Sequence, residues 1–399
     1  MTTLRGAPAA GTDAAPMSRG LFVGLTVAAT GGPLALAALY LPGVLAETAG
    51  SAGLVAVLAA AMFVPTLAVW LAYSRTIVGA GGLYAFVEAA AGRRVAQVQA
   101  GLWVLSYLLY LVYTITYITY DVLPGTFTSV AGGRPALQIC IAVVIAAVCL
   151  APLRFAVMVL AVVAVLQVLL TVALALVVTG PRTGSAGAFT AHGPGGGLLL
   201  AGGNTAILFV CASLPLFLGG EVAGGSSSVR RGLASGWAVV AAVTVVAAVG
   251  IAGASTAVLG SAVPGVQAAT DAGQPVLASA VGIGVCVSVA AVVVVEFLAV
   301  SRLGHVLSRR PVPQVSRLLA AVMVAGAAAS LASPDRIYQD LLKPSLVALW
   351  LAQLVVFVVY PRFAAGGGRW RGRDVLLAGA ASALMLFGLW STIVNQVTS

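Results

Sequence analysis

Phe217-Leu218-Gly219-Gly220-Glu221-Val222-Ala223-Gly224-Gly225 is the stretch around which the chain is organised. It lies towards the end of an apolar run that begins near Leu198 and stops at Arg230 and Arg231. Four glycines within seven residues weaken a helix, because glycine loses the most backbone freedom on ordering. In a bilayer, freed backbone N–H and C=O groups persist only where protein or a wet cavity covers them. A carboxylate in the same weak spot is costly at membrane depth and is therefore usually functional. Glycines and acid together predict a discontinuous helix that offers backbone and charge to a ligand, the pattern of a transporter.

Composition sets the frame for that reading. Of 399 residues 61% are apolar and only 8% charged, against about a quarter charged in a soluble domain, so the chain is expected to cross a lipid bilayer repeatedly. The net charge of +10 comes from single basic residues between apolar runs, with no basic face or binding motif, which excludes nucleic acid as a partner. No cleavable signal peptide is expected, since the apolar run after Arg19 is too long for one. Cys140, Cys149, Cys211 and Cys286 sit in apolar runs without metal-like spacing and read as small buried hydrophobes.

A helix of roughly 20 apolar residues spans a bilayer. Eleven spans follow: about 20–45, 52–74, 95–121, 136–152, 155–179, 200–224, 234–260, 276–307, 316–333, 342–360 and 374–396. With the N-terminus inside, the inner segments hold Arg5, Arg19, Arg75, Arg93, Arg94, Arg154, Arg230, Arg231, Arg302, Arg309, Arg310, Arg317, Arg362, Arg369, Arg371 and Arg373. The outer ones hold Arg134, Arg182, Arg336 and Lys343. Sixteen against four predicts a cytoplasmic-membrane protein with its N-terminus inside and its C-terminus outside. Residues 75–94 form an inner connection with a short amphipathic helix. Residues 181–199 are an outer loop whose His192 reads as solvated, because nothing nearby completes a metal site.

Span 1 repeats the theme of span 6. Thr30-Gly31-Gly32-Pro33 falls near its middle, where proline removes a backbone hydrogen bond and two glycines loosen the turn. The plainer reading is a kink or a close packing contact. Spans 1 and 6 are five helices apart, which fits two inverted halves that each open with a broken helix. The expected division is a disordered tail over 1–18, a first repeat over 19–180, the outer loop, a second repeat over 200–360, and span 11 with its tail over 361–399.

Three constellations carry chemistry. Tyr107, Tyr110, Tyr113, Tyr117 and Tyr120 occupy one face of span 3, with Tyr110 and Tyr113 deep enough to line a cavity. Tyr120 and Asp121 read as anchors at the outer interface, and Glu47 as interfacial too. Two carboxylates, Glu221 and Glu296, lie inside spans, where each must be protonated, paired or bound to a cation. No H-E-x-x-H, Walker loop, G-x-S-x-G or Cys/His cluster is present, so an enzyme and a resident cofactor are not expected.

The chain resembles the amino acid–polyamine–organocation superfamily of permeases, which have the LeuT-like fold. The resemblance rests on Leu41-Pro42-Gly43, on Gly79-Ala80-Gly81-Gly82-Leu83-Tyr84-Ala85-Phe86 with Gly101-Leu102-Trp103, on Phe217-Leu218-Gly219-Gly220-Glu221, and on Ser301-Arg302. It covers about residues 20–310 and implies an all-α, 5+5 inverted-repeat transporter that moves an amino acid or related amine. It also implies a substrate site drawn from Thr30, Gly31, Gly32, Pro33, Ala35, Ala37, Tyr110, Tyr113, Ser213, Phe217, Gly219, Gly220 and Glu221. The family's glycines of span 1 align with Ala35-Leu36-Ala37, one turn beyond this chain's own glycines, so the break is expected at one place or the other. A span 5 lysine that replaces sodium in many members aligns with Gln167, which leaves Glu296, with Gln167 and Glu221, to handle a coupling proton or sodium ion. The rival functions are transport of another small organic solute and a non-transporting sensor or complex subunit. The pattern sets no oligomeric state.

Overall fold

The computed structural model describes residues 16–30, 32–46, 48, 51–127, 132–179, 185–191, 195–366 and 368–394. Gly31, Glu47, His192 and the first fifteen residues of the tail lie outside them. Among the described residues, ten helices are long and apolar enough to cross a membrane, and Arg134–Leu150 is a shorter apolar helix of 17 residues. That shorter helix is the fourth span of the sequence reading, and the other ten fall where hydropathy placed them.

Span 1 is two helices. Arg19–Ala29 ends at Thr30, whose hydroxyl turns back onto the Thr26 carbonyl at 2.7 Å. Gly32 then has φ 63°, a conformation that side-chain-bearing residues adopt only with strain, and Pro33 restarts the helix at its first turn. The break is therefore at Thr30–Gly32. Ala35 and Ala37, the alternative site, lie inside the second half, which relaxes into a π-helical turn over Leu36–Tyr40.

Span 6 is broken elsewhere than the glycines indicated. Its α-helix, Gly195–Ile207, gives way at Leu208 and Phe209 to a 3₁₀ segment over Val210–Glu221 that carries Pro215 in its middle. Gly219 and Gly220 lie at the end of the span and Gly224 and Gly225 at the start of the next helix, so none interrupts it; this corrects the expectation drawn from the opening stretch. The physical reason is close packing. A Cβ on Gly219 would lie 3.3 Å from Val78, and one on Gly220 would lie 3.2 Å from the Cα of Gly79, so these glycines admit the connection between spans 2 and 3.

The first half of span 1 packs against spans 5 and 7, and span 3 packs against span 10 along most of its length. The connecting helix Gly82–Ala91 stops at Gly92, φ 85°, and span 3 starts at once at Arg93. Tyr73, at the end of span 2, stacks on Phe86 of that connecting helix at 4.6 Å and touches Tyr360 and Phe363 near the end of span 10. Span 10 therefore ends where span 3 begins, and the two run antiparallel. Residues with high exposure, such as Val162, Leu169 and Leu176 on span 5, form the apolar outer face that a bilayer would cover.

Candidate transport site between the broken spans

One end of the molecule is tied shut by backbone and charge. Met17, counted with the tail from sequence, is buried: its N–H donates to the Glu221 carbonyl at 2.8 Å, and its carbonyl accepts from Ala223 N–H at 2.8 Å. Arg302 Nε donates to Glu221 Oε1 at 3.0 Å. The Ser226 hydroxyl donates to the carbonyls of Ser74 and Arg75. Phe217 lies over Gly82, whose φ of 47° and absent Cβ let the ring approach, and the Trp103 ring sits 4.3 Å from that of Phe217. The start of span 1 and the ends of spans 2, 6 and 8 thus meet on one side, as alternating crossings require. This side is the arginine-rich end.

Those contacts reassign several expected residues. Phe217, Gly219, Gly220 and Glu221 build the closed end, and Glu221 faces Arg302, not a central cavity. Six residues separate Glu296 from Arg302, or about 9 Å of helix, so Glu221 sits well away from the second carboxylate. Ser213 accepts from Gln353 Nε2 of span 10 at 3.0 Å and donates to the Val210 carbonyl, which commits its hydroxyl within the protein.

Two groups remain deep between the broken spans. The first surrounds the span 1 break. A Cβ on Gly32 would fall 2.2 Å from Ser288 Oγ and 3.1 Å from Gln167 Oε1, so only glycine fits, and the Ala35 N–H donates to Ser288 Oγ at 3.2 Å. Gln167 is 2% exposed and neither end of its amide has a hydrogen-bond partner among the described residues. Ser288 was not singled out from sequence, although it lies eight residues before Glu296 on the same helical face. Ala37 turns elsewhere, into a narrow cavity with Thr171, Ala247 and Gly250. Thr30, Pro33 and Ala35 are buried beside the break.

The second group centres on Glu296. It is wholly buried on span 8, and neither carboxyl oxygen has a partner among the described residues. Tyr107, Tyr110 and Cys211 lie within electrostatic reach of it, and Tyr40 and Tyr113 within reach of Tyr110. Tyr110 and Cys211 are only half-buried although they sit inside spans. Cys211, read from sequence as a plain hydrophobe, is therefore part of this polar centre; no spacing signal marks it. Away from the arginine-rich end, Tyr113 stacks on Tyr117 at 5.7 Å, and Tyr117 on Tyr40 of the second half of span 1 at 6.5 Å. Aromatic rings thus cap the Glu296 region on one side, and Trp103 and Phe217 on the other. Tyr120 lies at the far end under Arg134, whose guanidinium is 5.6 Å from its ring centre.

Among solved structures the chain is similar to the manganese transporter of Eremococcus coleocola. A histidine-to-alanine variant of that protein superposes with a TM-score of 0.65 at 12% identity, over 95% of this chain and 88% of that one. Its complex with an aromatic bis-isothiourea substituted compound gives 0.62 at 12% identity, over 95% and 87%. The fold is LeuT-like. No protein-family model and no curated protein matches the chain. At this identity the likeness speaks for architecture alone.

Proposed function

We propose that this chain is a secondary transporter that carries an amino acid or small organic amine through alternating access, with Glu296 as its coupling carboxyl. The observation that carries the reading is Glu296 itself: a fully buried acid without a protein partner, beside half-buried Tyr110 and Cys211, between two interrupted helices. A lone carboxyl in such surroundings is costly as an anion and stable only when it holds a proton or a cation. Loading from one side and unloading to the other would couple an ion gradient to the solute. The Tyr110 hydroxyl, half-buried on span 3, offers a hydrogen bond to a zwitterion or amine. The resemblance to the amino acid–polyamine–organocation permeases supports the same solute class. The sixteen-to-four arginine and lysine bias supports a cytoplasmic arginine-rich end.

A second reading, transport of a divalent metal ion, takes its support from the manganese transporter whose fold this chain shares. The side chains argue against it. Manganese and its like take about six hard oxygen ligands, usually including carboxylates. Among the described residues no three His, Cys, Asp or Glu side chains gather as a metal site. Uptake into liposomes by the purified protein tests both, using a pooled panel of amino acids and amines in one arm and radioactive manganese in the other, with and without an inward proton or sodium gradient. The expected result is gradient-stimulated uptake of an amine or amino acid that falls by a factor of ten or more in Glu296→Gln, about 1.4 kcal/mol or above. Full gradient-driven uptake by that variant would sink the coupling role. Manganese uptake alone would sink the substrate class.

A further inference from the structure

Span 3 carries a second set of unsatisfied groups between Glu296 and the arginine-rich end. Gln99, Trp103 and Tyr107 recur every fourth residue and so share one helical face. All three are buried, at 1%, 0% and 1% exposure. Both ends of the Gln99 amide and the Trp103 indole N–H have no hydrogen-bond partner among the described residues, and the Tyr107 hydroxyl meets only the weakly bonding Cys211 thiol. Span 10 adds another. The Ser345 hydroxyl donates to the Ser106 carbonyl at 2.9 Å, which fixes the register of the antiparallel pair. Eight residues on from Ser345 is Gln353, and eight back from Ser106 is residue 98, so Gln353 stands level with Gln99. Gln353 is fully buried; its Nε2 is spent on Ser213, which fixes the amide, and its Oε1 is left without a partner.

A buried amide, indole N–H or phenol left unpaired costs about 1–3 kcal/mol, so several aligned on one face are not tolerated dry. The donors and acceptors are uncharged and mixed, and they suit water more than an ion or an apolar solute. We propose that the face formed by Gln99, Trp103 and Tyr107, completed by Gln353, holds a file of internal water joining Glu296 to the arginine-rich end. The helical rise puts Tyr107 about 12 Å from Gln99, a distance that roughly four hydrogen-bonded waters span. The file runs beside the Phe217–Gly82 contact, not through it, so a proton leaving the Glu296 carboxyl as hydronium has a path while the solute's path is shut. That last role rests on the coupling reading of Glu296; the water file does not.

Hydroxyl-radical footprinting of the full-length protein separates the two. Radicals generated in bound water oxidise neighbouring side chains, while dry buried ones stay unmodified. Tyr107 is compared with Tyr73, equally buried but with its hydroxyl already donated to the Val356 carbonyl at 3.2 Å. Tyr107 is expected to be oxidised several-fold faster than Tyr73, and Gln99→Leu with Gln353→Leu to bring the two rates together. Equal rates in the unmodified protein overturn the file, whatever the protein transports. Fast Tyr107 oxidation in a protein whose uptake ignores every ion gradient upholds the file and removes the coupling role of Glu296. If the double variant does not fold, the comparison in the unmodified protein still decides.

Discussion

The two interrupted spans reach the same end by different chemistry. In span 1 the break falls on the residues that cause it. Gly32 supplies a positive φ, Pro33 restarts the helix, and Ser288 and Gln167 occupy the space a side chain would have filled. In span 6 the break falls at Leu208 and Phe209, where no glycine or proline stands, and the chain continues as an unusually long 3₁₀ segment. Of the glycines that drew attention there, Gly219 and Gly220 serve docking against Val78 and Gly79, and Gly224 and Gly225 make the turn into the next helix. A glycine cluster in an apolar run thus has two meanings, loss of helix or close approach, and only the neighbours distinguish them.

The strongest challenge to that comparison is Gly32→Ala. A left-handed residue with a Cβ carries about 1–2 kcal/mol of strain, and the overlap with Ser288 adds about 1–3 kcal/mol. A drop of several degrees in thermal midpoint, with loss of uptake, is expected. Gly220→Ala has no positive φ to strain, but its Cβ would press on the Gly79 Cα at 3.2 Å, closer than ordinary contact, so about 1 kcal/mol is expected from the same assay. Equal losses in the two variants would erase the distinction between the breaks.

At the arginine-rich end, Glu221→Gln leaves Arg302 half-deprived of its counter-ion with 8% of its side chain exposed. Removing one member of a partly buried pair costs about 1–3 kcal/mol, less where water reaches it, as it reaches Glu221. The closed end should open more readily, seen as faster modification of a cysteine introduced at Gly79; unchanged modification would mean the pair does not hold the end shut. A smaller effect is expected from Ser213→Ala, about 1 kcal/mol from one neutral hydrogen bond. Because Ser213 is committed to Gln353, the KM for solute should stay as it is. A KM rise of tenfold would return Ser213 to the substrate site.

Much of the fold was legible because a bilayer makes strict demands. The 20-residue apolar runs are local signals and fall where hydropathy put them, and of the two places the sequence offered for the first break the structure takes Thr30–Pro33. The site was less legible. Three of the stretches that carry the family resemblance, at 79–86, 217–221 and 301–302, meet one another at the closed end, and Trp103 of a fourth joins them. The most conspicuous motifs therefore mark a closure, while the polar centre joins Glu296 and Tyr110, both visible in the sequence, to Cys211, which no spacing marks.

The sequence alone determined the number of long apolar helices, two candidate places for the first break and the presence of two acids in apolar runs, since helix length, glycine, proline and charge act locally. Only the tertiary structure decided what each acid does. Glu221 lies among glycines and Glu296 among valines, and neither setting says which acid has a partner. Contact with Arg302 satisfies the first and leaves the second alone, and that partner comes from a helix some eighty residues away in the chain.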